Sequence, residues 1–130
     1  MKIINTTGKR KTAIARAVLK EGSGIIRINS ILLDNYSTEM YRTKIMEPII
    51  LAEDIPKKVN ISIKVQGGGQ MSQAEASRLA IARALSQLQP SLKKVFLSYD
   101  RHLLVPDVRF KETYKPNDSK ARAKRQKSYR

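Results

Sequence analysis

The chain has 130 residues and a formal net charge of +15, from 26 lysines and arginines against 11 acidic residues. This length is enough for one domain with a substantial core, and so basic a chain is expected to associate with a polyanion such as nucleic acid. The absence of cysteine excludes disulfides, zinc ribbons and thiol nucleophiles, and the absence of a long apolar stretch or secretion signal predicts a cytoplasmic protein without a membrane partner.

The N-terminal part of the chain predicts three strands. Ile3–Thr7 is a short β-prone run, and Thr12–Lys20 alternates between alanines and larger side chains with the period of a strand. Gly8–Lys11 is therefore predicted to be a cationic turn between these two strands. Ile25–Asn29 follows as a third strand, and a short apolar run comes after it at Ile31–Leu33.

A helix and a further strand are predicted in the middle of the chain. Ser37 or Thr38 can cap the helix, and Pro48 ends it, begins a further helical turn or kinks it into two. Val59–Val65 alternates cleanly, with its valines and isoleucines directed inward and Asn60, Ser62 and Lys64 outward. This segment is the strand with the clearest pattern.

Two more helices complete the predicted fold. Ser72–Glu75 has the pattern of a capping box that opens a helix over residues 72–88, and Pro90 or Ser91 begins a last helix. This order of elements predicts an α+β fold: a two-layer sandwich of a mixed four-stranded sheet with helices on one face. We expect residues 1–102 to form this globular α+β domain and residues 103–130 to form an extended basic C-terminal tail.

The end of the chain indicates nucleic-acid binding most directly. Residues 119–130 contain six cations, no acid and no aliphatic residue larger than alanine. Such a segment cannot bury enough apolar surface to offset the entropy of ordering, so it is predicted to stay extended until a polyanion binds it. Tyr114 and Tyr129 flank the basic run and could stack on unpaired bases.

The glycine-rich segment Gly67–Gly69 has two interpretations. It could hold a phosphate at the start of the following helix, with Gly68 and Gly69 at the anion, or it could be a strand-to-helix turn that needs positive φ angles. The spacing is not that of a P-loop. A small phosphotransferase would also need a carboxylate–Mg²⁺ set, whereas the acidic residues here are scattered.

No catalytic group of residues is evident. His102 is the single histidine, which argues against a metal site, and no nucleophile is specified near it. We therefore expect no enzyme activity, cofactor or small-molecule substrate. Lys9, Arg10 and Lys11 suit phosphate binding, so a free-standing DNA- or RNA-binding protein, such as a chromatin component, stays open on these features alone.

Two longer signatures resemble those of a known family. Residues 8–17, GKRKTAIARA, and the glycine-rich segment followed by Gln73-Ala74 and by Ile81–Leu85 are similar to signatures of the universal ninth protein of the small ribosomal subunit. Tyr99–Arg101 and the basic ending fit the same family over essentially the whole chain. The terminal sequence KRQKSYR resembles its archaeal and eukaryotic branch.

The resemblance implies a structural protein in the head of the small subunit. Its expected partners are small-subunit rRNA, neighbouring ribosomal proteins and, through the tail, the anticodon stem-loop of P-site tRNA. The residues expected to bind rRNA are Lys9, Arg10, Lys11, Arg16, Gly68, Gly69, Arg101, Arg109, Lys115, Lys120, Arg122, Lys124 and Arg125. Those expected to contact the tRNA are Lys127, Tyr129 and Arg130, with Arg130 on an anticodon-loop phosphate.

Two positions depart from the pattern of the family. Ser30 stands where many relatives have glycine, which concerns the turn after the third strand. The chain ends in Tyr129-Arg130 where bacterial members usually end in Lys-Arg, so a contact known for that lysine does not transfer to Tyr129.

Overall fold

A computed structural model of the chain describes residues 3–36 and 38–109. Its centre is a five-stranded mixed sheet in the order β1-β2-β5-β3-β4. The strands are β1 (Ile4–Arg10), β2 (Ala13–Glu21), β3 (Ile26–Ile28), β4 (Ile31–Leu32) and β5 (Val59–Gln66). β3 and β5 are parallel and the other neighbouring strands are antiparallel, so the chain crosses over between β3 and β5.

Three α-helices accompany the sheet: α1 (Glu39–Leu51), α2 (Gln70–Leu88) and α3 (Leu92–Tyr99). Short 3-10 turns span Leu33–Asn35, Ile55–Lys58 and Arg101–Leu103. α2 lies directly on β1, β2 and β5, while α1 and α3 both pack against α2. In the described part of the chain, no helix has the length and apolar character needed to cross a bilayer.

The predicted fold class is confirmed, with one more strand than the four expected. β4 has two residues and pairs only with β3, so it adds a short edge that the sequence showed merely as a brief apolar run. The predicted division into residues 1–102 and 103–130 stays a prediction. Leu103 is fully buried among the core residues, so packing in the described structure continues past residue 102.

Small side chains let α2 lie unusually close to the sheet. The inward residues at the start of β2 are Ala13, Ala15 and Ala17, and all three are buried. On α2 the buried residues include Ala76 and Ala80, and the Ala80 carbonyl accepts a hydrogen bond from the Thr6 hydroxyl at 2.8 Å. The close approach follows from the small side chains in both layers, since larger residues would hold the two layers apart.

The turn predicted at Gly8–Lys11 is wrong in its boundaries. β1 continues through Arg10, and the reversal occupies only Lys11 and Thr12, where Lys11 has a φ of 53°. Gly8 is instead a strand residue paired with Ala15, and a Cβ there would overlap the Ala76 carbonyl oxygen of α2. The glycine is therefore required by the close approach of the helix rather than by a turn.

The predicted capping box is also wrong. α2 begins at Gln70 with Gly69 as its N-cap, so Ser72 lies inside the first turn and is buried. Gly67 and Gly68 adopt φ angles of +81° and +65°, which confirms the strand-to-helix turn that needs positive φ. The geometry of this turn starts the helix two residues earlier than the serine pattern indicates, because local side-chain caps are only one of several ways to end a helix.

Two other sequence features have clear outcomes. α1 runs through Pro48 as one helix to Leu51, so the proline lies near its end. The turn after β3 forms with Ser30 at a φ of 71°, in the left-handed region that the glycine of relatives would favour. Beside it, the Asn29 amide bonds the Val65 backbone N–H and carbonyl of β5 at 2.9 and 3.1 Å, which anchors this turn to the sheet.

Candidate nucleic-acid interface

The sheet has one face covered by helices and one open face. Because side chains alternate along a strand, the outward positions are those between the buried ones. The cations at these outward positions are all exposed; they are Lys9, Arg16, Lys20, Arg27 and Lys64. The outward positions of the five strands carry no aspartate or glutamate. We refer to these outward residues as the open face.

Strand register brings cations from distant parts of the sequence together on the open face. Arg16 on β2 is paired with Lys64 on β5, and Arg16 has Thr7 as its neighbour on β1. Arg27 on β3 lies beside Ser62, two residues before Lys64 on the same strand. Adjacent strands lie about 5 Å apart and alternate residues about 7 Å apart along a strand, so these cations form a dense two-dimensional array.

A basic groove adjoins the open face at the edge strand β1. It has a volume of about 700 Å³, and the cations that line it are Arg16, Arg83 and Lys93. Arg83 donates hydrogen bonds to the Thr7 carbonyl at 2.9 Å and to the Leu104 carbonyl at 3.2 Å, so its guanidinium is held across the edge of β1. The residues that line the groove include no acid, and Arg16 joins the groove to the open face.

The three cations predicted at the hairpin do not lie together. Lys9 is on the open face and Lys11 is exposed at the reversal. The Arg10 side chain is directed to the opposite face of the sheet. Its guanidinium forms ion pairs with Glu75 of α2 at 2.6 Å and with Asp107 at 3.1 Å. Its charge is therefore matched on the helical side of the sheet.

A second cluster of charges lies on the helical side. Arg78 of α2 is buried and pairs with Glu47 of α1 at 2.6 Å and with Asp100 at 3.0 Å. Burial tends to raise the pKa of Asp100, but hydrogen bonds from the His102 backbone N–H and from Arg78 lower it overall. The cluster joins α1, α2 and the segment after α3, and it contains no nucleophile. Within the described ranges, no set of His, Asp and Glu side chains could hold a metal ion.

The remaining predicted site residues have different positions. Gly68 packs against Thr12 and Ala13 of the hairpin, whereas nothing lies within 4 Å of the Cβ position of Gly69. Arg101 is exposed in the last 3-10 turn, and Arg109 is exposed and bonded to Asp107. The predicted residues outside the described part of the chain are Lys115, Lys120, Arg122, Lys124, Arg125, Lys127, Tyr129 and Arg130.

Sequence reasoning missed several cations that the fold brings to this interface. Lys20, Arg27 and Lys64 join Lys9 and Arg16 on the open face, and Arg83 lines the groove. The strand alternation already directed Lys64 outward. What the sequence could not show was the strand order, which places β5 and β3 beside β2 and so assembles the array.

Comparison with known proteins gives one consistent result. Residues 8–130 match the family described as ribosomal protein S9/S16. The chain is 53% identical over 132 positions to the small ribosomal subunit protein uS9 of Thermoplasma volcanium, covering all of both chains. It is 52% identical over 127 positions to that of Thermoplasma acidophilum, covering 96% of this chain and 98% of the relative.

A third relative extends the comparison to another genus. The small ribosomal subunit protein uS9 of Methanococcus maripaludis is 49% identical over 134 positions, again covering all of both chains. These archaeal relatives agree with the branch that the ending of the sequence resembles. The chain therefore belongs to the ribosomal protein S9/S16 family, as a structural protein of the small subunit of the cytoplasmic ribosome and not an enzyme.

Proposed function

We propose that this protein binds small-subunit rRNA through the open face and the adjoining groove, and that its C-terminal tail reaches the anticodon stem-loop of P-site tRNA. The observation that carries the rRNA part is the separation of charge by the sheet. The outward strand positions hold five cations and no acid. Four acids on the helical side are paired with arginines instead; they are Glu47, Glu75, Asp100 and Asp107.

A cationic sheet face suits folded RNA better than a single nucleotide. Its charges are spread over four strands, so several phosphates of a folded RNA can be neutralised at once, with release of their counterions. Arginine can bond two phosphate oxygens while lysine acts as a point charge. Such contacts recognise the shape and backbone of RNA and carry no base sequence, which is typical of double-stranded RNA recognition.

Most of the other residues predicted to bind rRNA keep that role in the proposal, and one does not. Lys9, Lys11, Arg16, Arg101 and Arg109 are exposed and keep their proposed role in rRNA binding. The backbone at Gly68 and Gly69 stays a proposed phosphate contact at the start of α2. Arg10 receives another role, because its side chain is only 13% exposed and is paired with Glu75 and Asp107. Arg109 is also paired with Asp107, but its side chain is 79% exposed. Neighbouring proteins of the subunit head are further proposed partners.

Site-specific cross-linking on assembled subunits tests the rRNA interface. A photoreactive amino acid at Ser62, which is exposed between Val18 and Arg27 on the open face, should cross-link to small-subunit rRNA. The same group at Leu97, which is 51% exposed on α3, serves as a control that should cross-link far less. Cross-links from Leu97 alone would contradict the proposed interface.

The free-standing binder is a separate alternative with its own test. The tagged chain should co-sediment with small subunits through a high-salt gradient at one copy per subunit. Recovery at the top of the gradient, with duplex DNA bound as well as rRNA, would instead favour a general nucleic-acid-binding protein. The measurement is needed because composition alone predicts both a ribosomal protein and a general nucleic-acid-binding protein.

The tail part of the proposal makes a prediction for Arg130. Arg130→Ala should leave subunit assembly unchanged and speed dissociation of P-site tRNA by roughly five- to thirtyfold, since a charge-assisted hydrogen bond contributes about 1–2 kcal/mol. The measurement is the off-rate of labelled tRNA from subunits that carry the variant. Arg130→Lys keeps the charge, so its off-rate is expected to lie between those of the wild type and Arg130→Ala. An unchanged off-rate in Arg130→Ala would contradict the contact.

A further inference from the structure

Three arginines hold the segment that leads from the globular body to the C-terminal tail. Arg78 of α2 pairs with Asp100 at 3.0 Å, and Arg83 of α2 bonds the Leu104 carbonyl at 3.2 Å. Arg10 of β1 pairs with Asp107 at 3.1 Å. The contacts occur at intervals of three to four residues along the chain, so the segment is held at successive points. We call residues 100–109 the tail root.

The last of these contacts is held from both sides. The Arg10 side chain is 13% exposed, and Glu75 accepts a hydrogen bond from its Nε at 2.6 Å, which fixes the guanidinium against α2. The Asp107 side chain is 14% exposed. Arg10 Nη1 makes no geometrically good hydrogen bond within the described structure, so its contact with Asp107 is a charge pair. The strand and the helix thus determine together where Asp107 lies.

Asp107 also organises the chain that follows it. Its carboxylate accepts hydrogen bonds from the Arg109 backbone N–H at 3.1 Å and from the Arg109 guanidinium at 2.7 and 3.0 Å. The hydrogen bonds from Arg109 and the charge of Arg10 hold the pKa of this carboxyl well below its usual range. It is therefore charged at any physiological pH. The Asp107 side chain thus connects the body, through Arg10, with Arg109 two positions further along the chain.

From these contacts we infer that Asp107 is a positioning residue that fixes the point and the direction in which the tail leaves the globular body. This inference rests on the proposed contact between the tail and tRNA. A segment that starts from a fixed point samples less space than one that starts from a mobile point, which raises the effective concentration of its end at a distant site. Asp107 then acts on tRNA through the tail and makes no contact with it.

A distance measurement on the full-length chain tests the position of the root directly. The sequence contains no cysteine, so spin labels can be placed at Lys94→Cys on α3 and at Val108→Cys, both at exposed positions. Asp107→Asn keeps the shape of the side chain and removes its charge. We expect the distribution of distances between the labels to become at least twice as wide in this variant, and an unchanged width would overturn the inference.

A matched control removes a similar charge elsewhere. Asp54 pairs with Lys57 at 3.2 Å, and both side chains are about 80% exposed. Asp54→Asn should leave the distance distribution unchanged. If Asp107→Asn lowers stability too far for labelling, Asp107→Glu provides the second variant. Glu keeps the charge on a longer side chain, whereas Asp107→Ser removes the charge. The distance distribution of Asp107→Glu should therefore be wider than that of the wild type and narrower than that of Asp107→Ser.

The effect on tRNA is measured in assembled subunits that carry the wild type, Asp107→Asn or a chain ending at Arg109. We expect truncation to speed tRNA dissociation most and Asp107→Asn to speed it about three- to tenfold, with normal subunit incorporation. If truncation has an effect and Asp107→Asn has none, the inference is wrong and the proposed tail contact stands. If truncation has no effect, the tail contact fails, and the label distances still decide whether Asp107 fixes the root.

Discussion

Neutralising three cations of the open face should weaken the salt dependence of rRNA binding more than removing the same charge from outside the proposed interface. The substitutions are Arg16→Gln, Arg27→Gln and Lys64→Gln. Each phosphate contact contributes about 0.7–0.9 to the slope of log affinity against log salt, so the slope should fall by about two to three. Because all three side chains are exposed, we expect little effect on folding.

The control for this variant removes the same charge from outside the open face and the groove. Arg42→Gln, Lys57→Gln and Lys94→Gln lie on α1, on the 3-10 turn before β5 and on α3. Long-range attraction depends on net charge and falls equally in both variants, whereas direct phosphate contacts are lost only on the open face. Filter binding of an rRNA head fragment between about 50 and 200 mM salt gives both slopes. Equal slopes for the two variants would contradict the proposed interface.

The sequence predicted the separation of inward and outward residues well, because alternation is a local property. The buried residues Val59, Ile61, Ile63 and Val65 and the outward Lys64 follow directly from the pattern of β5. The fold class followed from the order of such segments. The position of β3 beside β5, and therefore that of Arg27 near Lys64, depends on a crossover connection that no local pattern specifies.

Long-range ion pairs were the main feature that the sequence did not show. Glu75 has the spacing of a capping box with Ser72, but in the structure it pairs with Arg10, 65 residues earlier. Arg10 was grouped with Lys9 because both were assigned to a turn. Had the predicted first strand been continued by three residues, from Thr7 to Arg10, alternation would have placed Lys9 and Arg10 on opposite faces. An error of three residues in a strand end therefore changed the interpretation of a charged side chain.

The same boundary error concealed the role of Gly8, which leads to a strong prediction for stability. Gly8→Ala should lower the free energy of unfolding by about 3 kcal/mol, at the upper end for overpacking, because the added Cβ meets backbone that cannot rotate away. It would overlap the Ala76 carbonyl oxygen and lie 2.8 Å from the Ala80 nitrogen, both on α2. Urea denaturation of the free protein measures this change, with the slope showing whether the native state stays compact.

Gly69→Ser is the matched glycine variant. Gly69 is the N-cap of α2, its φ of −93° suits any residue, and its Cβ position has open space. Serine is preferred over glycine at an N-cap, so this change should leave stability equal or slightly higher. The glycine in the close packing and the glycine in open space are thus expected to respond differently to an added side chain. Equal stability of Gly8→Ala and the wild type would show that α2 lies further from β1 than described.

The consequence of Gly8→Ala should extend beyond stability. α2 carries Arg78 and Arg83, which hold the tail root at Asp100 and Leu104, and Glu75, which fixes Arg10 against Asp107. Any shift of α2 away from β1 changes the distance between Arg10 and Glu75, because Arg10 lies on β1 and Glu75 lies on α2. We therefore expect the Lys94–Val108 label distances to broaden in Gly8→Ala under conditions where the protein is still folded. Broadening there would show that the close approach of α2 to the sheet also sets where the tail begins.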